Sequence, residues 1–490
     1  MPSQENIVHT TPAEAPPPLK IGIFFDGTGN GDEIKNKTKW SNVKYLYDMH
    51  LGDDEKSKQK KYNTRKFYQR GVGSHEDDFV IESAMGVGAK KRFENVIFNI
   101  EKYITEYSDN MRSHLPMVIQ LDVFGFSRGA AMARHFVNCI KQDYFDFKSH
   151  RMNKNFSARN IKINFLGVFD TVGSFGIAGD NIDNGYSFYI DPNWIEKKAV
   201  HIYALHEYRW GFDLQAMIPE QDTNYAINIF DDKLIEIGLP GVHSDIGGSY
   251  DINKFEQDND NSLLACIALE KMIRYASEND VPLDSVHKDA DRKSVSKGNK
   301  NFRNMESSYN AIRTYIENND LRLSIGLWRE HIALVDIYKH KFKNNLAATK
   351  SIGHAGASAK MRQHDIEKTI KIITEKIELS EQQLLVFFNT EQEFNKFKSN
   401  YDTLYQDYMH KSHSPFNTTF AMGKQDADEN FWLWKKTVSD ERPHRDIFYN
   451  PKKDFEKINS PKAWNGNSRI NDPEKFRVLK SIKWEDDTRD

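Results

Sequence analysis

One serine in this sequence stands in a pattern that suits nucleophilic chemistry. Residues 125–129 read Gly-Phe-Ser-Arg-Gly, with Ser127 at the centre. A serine hydroxyl attacks a carbonyl carbon when a sharp turn exposes it and a neighbouring base removes its proton. The flanking glycines suit such a turn because a Cβ at either position would meet neighbouring backbone. The pattern predicts a nucleophilic serine for acyl transfer, with the amide of Arg128 directed at the developing oxyanion.

A base and an acid for Ser127 follow later in the sequence. Asp170 ends the apolar run 161–169, and His243 lies in a glycine-flanked loop after the run 234–239. Serine, then acid, then histidine is the chain order in which the α/β-hydrolase fold carries its triad. The spacings of 43 residues (170 − 127) and 73 residues (243 − 170) leave room for strand–helix units. We predict Ser127 as nucleophile, His243 as base and Asp170 as the acid that orients the base.

A second acid and base are also compatible with this order. Asp245 lies two residues after His243, and His410 and His413 lie close together in a later segment. Asp245 as the acid, with either later histidine as the base, also keeps the order serine, acid, histidine. The sequence therefore leaves two sets of partners for Ser127.

The candidate residues directly follow predicted strands. The predicted strands are residues 19–25, 67–73, 117–124, 161–169 and 234–239, and the predicted helices are residues 89–112, 130–137 and 262–276. Strands that alternate with helices predict a largely parallel central sheet flanked by helices, an α/β-hydrolase-like fold. In such sheets the active site lies outside the carboxyl ends of the strands. Asp26, Ser127, Asp170 and His243 all fall at that edge.

A glycine-rich loop follows the first strand. Residues 26–31 read Asp-Gly-Thr-Gly-Asn-Gly and lack the Lys-Ser/Thr pair of a phosphate-binding P-loop. Because the loop lies at the same edge as Ser127, the backbone amide of Gly27 or Thr28 is the candidate for the second half of an oxyanion hole. An ordinary turn before a helix is the alternative.

The bulk composition excludes several classes of function. The chain has 490 residues and a formal net charge of −3, so no global positive field favours nucleic acid. No run approaches the ~18 apolar residues of a membrane-spanning helix. The first 20 residues lack the basic and apolar regions of a secretory signal, so we expect synthesis in the cytoplasm without a signal peptide. Cys139 and Cys266 lie in apolar helical patterns, which predicts two buried thiols rather than a disulfide framework.

Metal binding is weakly indicated. His206-Glu207 lacks the second histidine, four residues after the first, that a zinc-protease motif requires. The acidic stretch 256–261 lacks the glycine and the final glutamate of an EF-hand. We therefore expect no cofactor and no metal ligands, with a calcium ion bound in the acidic loop as the alternative.

The rest of the chain divides into a tail, a catalytic domain and a second module. The predicted divisions are a flexible Pro-rich tail at residues 1–19, a catalytic domain at 20–290, a basic linker at 292–300 and a mainly helical C-terminal module at 300–490. Within the module, an apolar stripe predicts one long helix over residues 359–399. Within the catalytic domain, the charge-rich residues 52–66 are predicted to form a solvated loop.

Four motifs, in this order, resemble those of a known family. They are residues 24–28 (Phe-Phe-Asp-Gly-Thr), 125–130 (Gly-Phe-Ser-Arg-Gly-Ala), 167–173 (Gly-Val-Phe-Asp-Thr-Val-Gly) and 241–248 (Gly-Val-His-Ser-Asp-Ile-Gly-Gly). Together they resemble an α/β-hydrolase family whose best-known members are type VI secretion phospholipase effectors of the first lipase-effector family. Residues 408–412 resemble a later Val-His-Asp-Ser segment of those effectors, with Lys411 in place of the Asp.

The resemblance implies an activity and a setting. It implies hydrolysis of glycerophospholipid acyl esters by Ser127, with His243 as base and Asp170 as orienting acid. It also implies an antibacterial toxin that the secretion spike delivers to the periplasm of a rival cell. The implied partners are a phospholipid membrane, a spike or adaptor protein and a cognate immunity protein.

Two segments are candidates for a lipid entrance. Residues 431–436 (Phe-Trp-Leu-Trp-Lys-Lys) suit a membrane interface, with an aromatic core strand as the alternative. Residues 175–179 suit a mobile apolar rim. Two other functions remain open: a cytoplasmic carboxylesterase for short acyl chains, and a non-catalytic scaffold whose C-terminal module binds a partner.

Overall fold

The three-dimensional structure is a computed structural model, and it describes most of the predicted catalytic domain and the helices that follow it. The described residues are 19–31, 40–52, 63–71, 95–103, 118–141, 161–173, 188–207, 212–219, 227–250, 263–284, 300–317, 331–332, 334–335, 338, 357–410, 447–450 and 477–478. Several sequence predictions lie outside them: the Pro-rich tail up to Pro18, the linker at 292–299, the acidic loop 256–261, the candidate entrance segments 175–179 and 431–436, and His413.

Strands and helices alternate through the catalytic domain. The strands are β1 (Leu19–Phe25), β2 (Asn63–Gln69), β3 (Ile119–Phe126), β4 (Ile161–Phe169), β5 (Ile195–Ala204), β6 (Leu214–Pro219), β7 (Ile227–Phe230), β8 (Leu234–Leu239), β9 (Ile447–Asn450) and β10 (Arg477–Val478). The α-helices are α1 (Asn42–Met49), α2 (Arg128–Lys141), α3 (His243–Gly247), α4 (Leu263–Glu278), α5 (Lys300–Glu317), α6 (Ala357–Leu385) and α7 (Glu391–Asp407). Residues 95–103 are also helical.

The central sheet has seven strands in the order β2-β1-β3-β4-β5-β8-β7. Neighbouring strands run parallel except β7, which pairs antiparallel with β8. In the register, Phe25 pairs with Gly125, and Phe126 pairs with Phe169. The carboxyl ends of β1, β3 and β4 therefore meet at one edge. The predicted α/β-hydrolase-like fold, a mostly parallel sheet flanked by helices, is confirmed.

The sheet is buried on both faces. Side chains alternate along each strand, so Phe24 and Phe124 pack into one hydrophobic cluster, whereas Ile23 and Val123 pack into the other. Helix α2 covers the second cluster, and helices α1, α4 and α7 contribute to the first. Continuous burial of this kind explains why the strands read as near-continuous apolar runs. It also places the C-terminal helix α7 in the same core as the catalytic strands.

Three predictions about local structure are wrong. Residues 359–399 were predicted to form a single helix, but they lie in two helices. Helix α6 ends at Leu385, and helix α7 begins after its N-cap residue Thr390, whose side chain accepts a hydrogen bond from Glu393 N. The charge-rich loop at 52–66 ends earlier than predicted, since β2 begins at Asn63. This strand lies at an edge of the sheet, where charged side chains are tolerated. For the same reason the strand predicted at 67–73 is shifted toward the N-terminus.

Strands β5, β6, β7, β9 and β10 are not among the strands predicted from the sequence. Strand β5 does not read as an apolar run, because residues 196–198 are Glu-Lys-Lys and the first two of them are exposed. Strands β6, β9 and β10 form a separate three-stranded sheet in the order β10-β9-β6. The predicted C-terminal module is therefore not only helical, because two of its strands join a strand of the catalytic domain.

None of the helices among the described residues has the length and apolar character needed to cross a bilayer.

Candidate active site

Ser127 stands on a sharp turn between β3 and α2. Its backbone has φ 59°, in the left-handed region that L-residues rarely adopt. Two backbone hydrogen bonds fix this turn to the neighbouring strand: Ser127 N donates to Phe169 O at 3.0 Å, and Val172 N donates to Ser127 O at 3.3 Å. The turn has the backbone geometry of a nucleophile elbow, which presents a serine hydroxyl at the edge of a sheet.

The glycines on either side of Ser127 are required for steric reasons. A Cβ at Gly125 would lie 2.6 Å from Ala130 Cα. A Cβ at Gly129 would lie 2.4 Å from the carbonyl oxygens of Phe25 and Asp26. Both distances are shorter than any real carbon contact, so helix α2 can approach the end of β1 only with glycine at residue 129.

Asp170 and His243 form a hydrogen-bonded pair beside this turn. His243 Nδ1 lies 2.5 Å from Asp170 Oδ2, and both residues are buried. The other carboxylate oxygen, Oδ1, accepts a hydrogen bond from Ala204 N at 2.9 Å. Because a carboxylate only accepts hydrogen bonds, Nδ1 carries the imidazole proton and Nε2 is the basic nitrogen. Both oxygens of Asp170 are thus engaged, which fixes the plane of the carboxylate and of the ring that it holds.

The ring of His243 lies next to the nucleophile strand. Its centroid is 4.6 Å from that of Phe126, the residue that precedes Ser127, and 5.0 Å from that of Phe212. The Phe126 ring is itself confined, because a Cβ at Gly27 or Gly247 would come within 2.6 Å or 1.9 Å of it. The aromatic contact therefore places the imidazole at the same sheet edge as the serine.

The alternative acid and base also form a pair. Asp245 Oδ1 lies 2.5 Å from His410 Nδ1, and Asp245 Oδ2 accepts a hydrogen bond from His410 N at 3.2 Å. His243 and Asp245 are two positions apart on helix α3, and side chains at that spacing do not face the same way. The contacts with the nucleophile strand are made by the Asp170–His243 pair. The structure thus brings Ser127, Asp170 and His243 together and pairs Asp245 with His410 separately.

The residues that were candidates for the oxyanion hole make different hydrogen bonds. Gly27 N donates to Asp26 Oδ1 at 2.7 Å, so this amide is directed at a carboxylate and not toward the serine. The side chain of Arg128 donates from Nε to Thr28 Oγ1 at 2.6 Å, which holds the glycine-rich loop against the turn. Of the two candidate amides in the loop, that of Gly27 is therefore already occupied by a carboxylate.

Asp26 is held at the end of β1 by two hydroxyl groups. Its Oδ2 accepts hydrogen bonds from Ser41 Oγ at 2.7 Å and from Tyr68 Oη at 2.5 Å. Burial raises the pKa of Asp26 above its usual range. Since Oδ1 accepts from Gly27 N, Asp26 organises the loop and does not face the serine.

Sequence reasoning missed two residues that hold the His243 loop. Glu207 Oε2 accepts a hydrogen bond from His243 N at 3.2 Å. His206 Nδ1 accepts one from Gly241 N at 2.9 Å. The same two residues lack the second histidine of a zinc-protease motif. Their role had no sequence signal, because strand β5, which places them, was itself not predicted.

A buried network supports the turn that carries Asp170. Thr171 N donates to His201 Nε2 at 3.1 Å, and His201 Nδ1 lies 2.6 Å from Glu236 Oε1. Burial lowers the pKa of His201, so the ring is neutral, with its proton on Nδ1.

The guanidinium of Arg134, on helix α2, is fully buried, and burial lowers its pKa to about 9. It donates to the carbonyl oxygens of Phe188, Gln215 and Ala216.

Among the residues that the structure describes, no three His, Cys, Asp or Glu side chains are grouped closely enough to hold a metal ion. The acidic loop 256–261, considered for calcium, is outside that part of the chain.

The fold and the site together define an α/β-hydrolase-like protein with a serine at the nucleophile position. A family model described as "T6SS, Phospholipase effector Tle1-like, catalytic domain" matches residues 20–143 and 141–275, which is more than half of the chain. The chain therefore belongs to the family of Tle1-like phospholipase effectors of the type VI secretion system (T6SS). The resemblance found in the four sequence motifs is confirmed.

The solved structures that are similar to this chain include the following two. One is an uncharacterized protein from Pseudomonas aeruginosa, with 18% identity, a TM-score of 0.47, and coverage of 83% of this chain and 68% of that one. The other is a Tle1 effector bound to the VgrG spike of a type VI secretion system, with 25% identity and a TM-score of 0.36. That match covers 51% of this chain and 56% of the effector, so the chain spans little more than half of the effector's length. No curated protein sequence matches the chain.

Proposed function

We propose that this protein is a serine-dependent phospholipase A that hydrolyses the acyl esters of glycerophospholipids through an acyl-enzyme intermediate. One observation carries the proposal: the 2.5 Å hydrogen bond between His243 Nδ1 and Asp170 Oδ2, beside the strained turn of Ser127. Membership of the Tle1-like family supports a phospholipid as the substrate.

The first half of the reaction forms the acyl-enzyme. His243 Nε2 accepts the proton of the Ser127 hydroxyl as Oγ bonds to the ester carbonyl carbon. The carbonyl oxygen becomes an oxyanion, which backbone amides at Arg128 and the adjoining loop stabilise. The ester C–O bond then breaks, and the lysophospholipid oxygen leaves with the proton from His243.

The second half releases the fatty acid. A water molecule attacks the acyl carbon while His243 Nε2 takes one of its protons, and Ser127 leaves with that proton. Asp170 stays ionised throughout. It keeps the imidazole proton on Nδ1 and stabilises the imidazolium that forms in each half-reaction.

We further propose that the protein acts as an antibacterial T6SS toxin in the periplasm of the target cell. A spike or adaptor protein would carry it, as the similar Tle1 effector is bound to VgrG. A cognate immunity protein would protect the producing cell. Serine, histidine and aspartate carry out this reaction without a cofactor or a metal ion, and nucleic acid takes no part in it.

Vesicle hydrolysis tests the proposed activity. The wild type should release fatty acid from phospholipid vesicles, and Ser127→Ala should release none. Ser277→Ala, which changes an exposed serine on helix α4, is the matched control and should keep full activity. Cleavage of soluble short-chain esters without vesicle hydrolysis would show that the protein is a carboxylesterase and not a phospholipase.

Directed expression tests the proposed setting. The wild type should inhibit growth of a Gram-negative host when a signal peptide directs it to the periplasm, and Ser127→Ala should not. Equal toxicity of Ser127→Ala would favour the non-catalytic scaffold, whose effect needs no serine.

A further inference from the structure

The C-terminal part of the chain packs directly on the loop that carries His243. The ring of His206 stacks on that of Tyr401, in helix α7, with centroids 5.7 Å apart and an interplanar angle of 14°. His206 is also the residue that accepts a hydrogen bond from Gly241 N. Helix α7 therefore supports Gly241, in the loop that precedes His243, through one intermediate side chain.

A second contact, between Asp245 and His410, lies just after helix α7. The carboxylate of Asp245 is completely buried. It accepts hydrogen bonds from His410 Nδ1 at 2.5 Å, from His410 N at 3.2 Å and from Val242 N at 3.0 Å. The ring of His410 stacks on Tyr250, with centroids 3.7 Å apart, so its orientation is fixed as well. Two of the three donors to this buried charge come from one residue of the C-terminal segment.

Asp245 in turn shapes the first turn of helix α3, which begins at His243. Val242 N donates to Asp245 Oδ2, and Asp245 N donates back to Val242 O at 2.8 Å. His243 lies between these two residues, so the reciprocal bonds enclose it. A buried carboxylate that loses donors must move or draw in water. Either response opens the turn and displaces the imidazole from Ser127.

We propose that His410 is a positioning residue for His243 and acts on it through Asp245. The proposal rests on the proposed function, in which His243 is the base. In this arrangement His410 takes no proton from the serine. Its imidazole serves as a donor that holds Asp245, and through Asp245 the C-terminal segment completes a site formed by the catalytic domain.

The kinetics of a soluble p-nitrophenyl ester test this role without the need for membrane binding. In the full-length protein, His410→Ala should lower kcat by about 10- to 100-fold and leave KM nearly unchanged, because displacement of a catalytic group by about 1 Å has that effect. His410→Asn should recover most of kcat, since the side-chain amide can donate to Asp245 where Nδ1–H does. Asparagine cannot act as a base, so this recovery also excludes His410 as the base of the triad.

His331→Ala is the matched control. His331 is a buried histidine of the C-terminal part, and its Nδ1 lies 2.7 Å from Ser380 Oγ. Loss of that contact should leave kcat close to the wild-type value. A wild-type kcat in His410→Ala, or a His410→Asn variant as slow as His410→Ala, would overturn the positioning role.

Proton NMR provides a readout that does not depend on turnover. The Nδ1 protons of His243 and His410, each hydrogen-bonded to a buried carboxylate, should give low-field signals. His243→Ala and His410→Ala assign them by loss. The His243 signal should shift or broaden in His410→Ala, and should stay in place in His410→Asn and His331→Ala.

The two hypotheses fail in different ways. A wild type that cleaves no ester would refute the proposed function, while the His243 signal still reports whether His410 acts on it. An unshifted His243 signal in folded His410→Ala would refute the positioning role even if the wild type is an active phospholipase. Far-UV circular dichroism establishes that each variant is folded.

Discussion

Ser127 and Asp170 directly follow two neighbouring parallel strands, and both have left-handed backbones, with φ values of 59° and 38°. Their backbones are also joined, because Ser127 N donates to the carbonyl group of Phe169, the residue before Asp170. A non-glycine residue in this region costs about 1–2 kcal/mol. The same strain turns both side chains out of the sheet at one edge. The proposed nucleophile and its proposed acid are therefore positioned by one piece of backbone rather than by two independent loops.

Replacing Asp170 by asparagine should abolish most of the activity while the fold is kept. Asparagine tolerates positive φ, but its amide no longer fixes the imidazole proton on Nδ1 or stabilises the imidazolium. We expect kcat for ester hydrolysis to fall by about 10⁴-fold. Asp232→Asn is the matched control, because Asp232 has φ 51° in a turn after β7. Equal activity of the two variants would show that Asp170 is not the acid of the triad.

Gly129→Ala should destabilise the protein through a backbone clash. Its Cβ would lie 2.4 Å from two carbonyl oxygens at the end of β1, and backbone cannot move aside as a side chain can. We expect urea unfolding to show a loss of about 1–3 kcal/mol or more. In the control, Gly52→Ala, the added Cβ meets only the flexible side chain of Lys66, at 3.1 Å. A similar, small effect of both substitutions would contradict the steric argument.

The free energy of unfolding should decrease as the pH falls below about 6.5. Burial lowers the pKa values of His201 and His50 below the ordinary 6.5, so the unfolded chain takes up protons that the folded chain does not. Each histidine contributes a slope of up to about 1.4 kcal/mol per pH unit in this window, and none above it. Denaturant titrations at pH 7, 6 and 5 measure the slope. His201→Gln should make it shallower, and an unchanged slope would show that His201 does not contribute.

Cys139 should be unreactive in the folded protein. It is buried in helix α2, and burial raises the pKa of its thiol to about 12, so almost no thiolate exists at pH 8. Cys266 is buried as well. A thiol reagent such as Ellman's reagent should therefore label neither cysteine before unfolding, and both of them in guanidinium chloride. Rapid labelling of one thiol in the native state would contradict this burial.

The elements that could be predicted from sequence are those with a local signature. Strands β4 and β8 are mostly apolar runs, and their predicted bounds, 161–169 and 234–239, agree with the structure. The turn at Ser127 was predictable because steric constraints dictate glycine on both sides of it. From these elements the chain order also indicated Asp170 and His243 as partners.

Other parts of the site depend on contacts between distant residues, which no local pattern records. Strand β5 begins with exposed charged residues, so neither the strand nor His206 and Glu207 at its end could be anticipated. The two Asp–His pairs could not be distinguished either, because both satisfy the same chain order. The contact of the His243 ring with Phe126, the residue before Ser127, separates them in the structure.

Helix α7 and the catalytic strands share one hydrophobic cluster, in which Phe397 and Leu404 pack with Phe124 and Ile237. This has a consequence for the order of events during protein synthesis. A ribosome that has translated only as far as helix α4 has already made Ser127, Asp170 and His243, but not the residues of helix α7 that complete this side of the core. A domain folds during synthesis only when it can bury its own apolar surface. The nascent chain therefore holds all three residues of the proposed triad before it holds helix α7, and we expect the core beside them to be completed only after the C-terminal helices are translated.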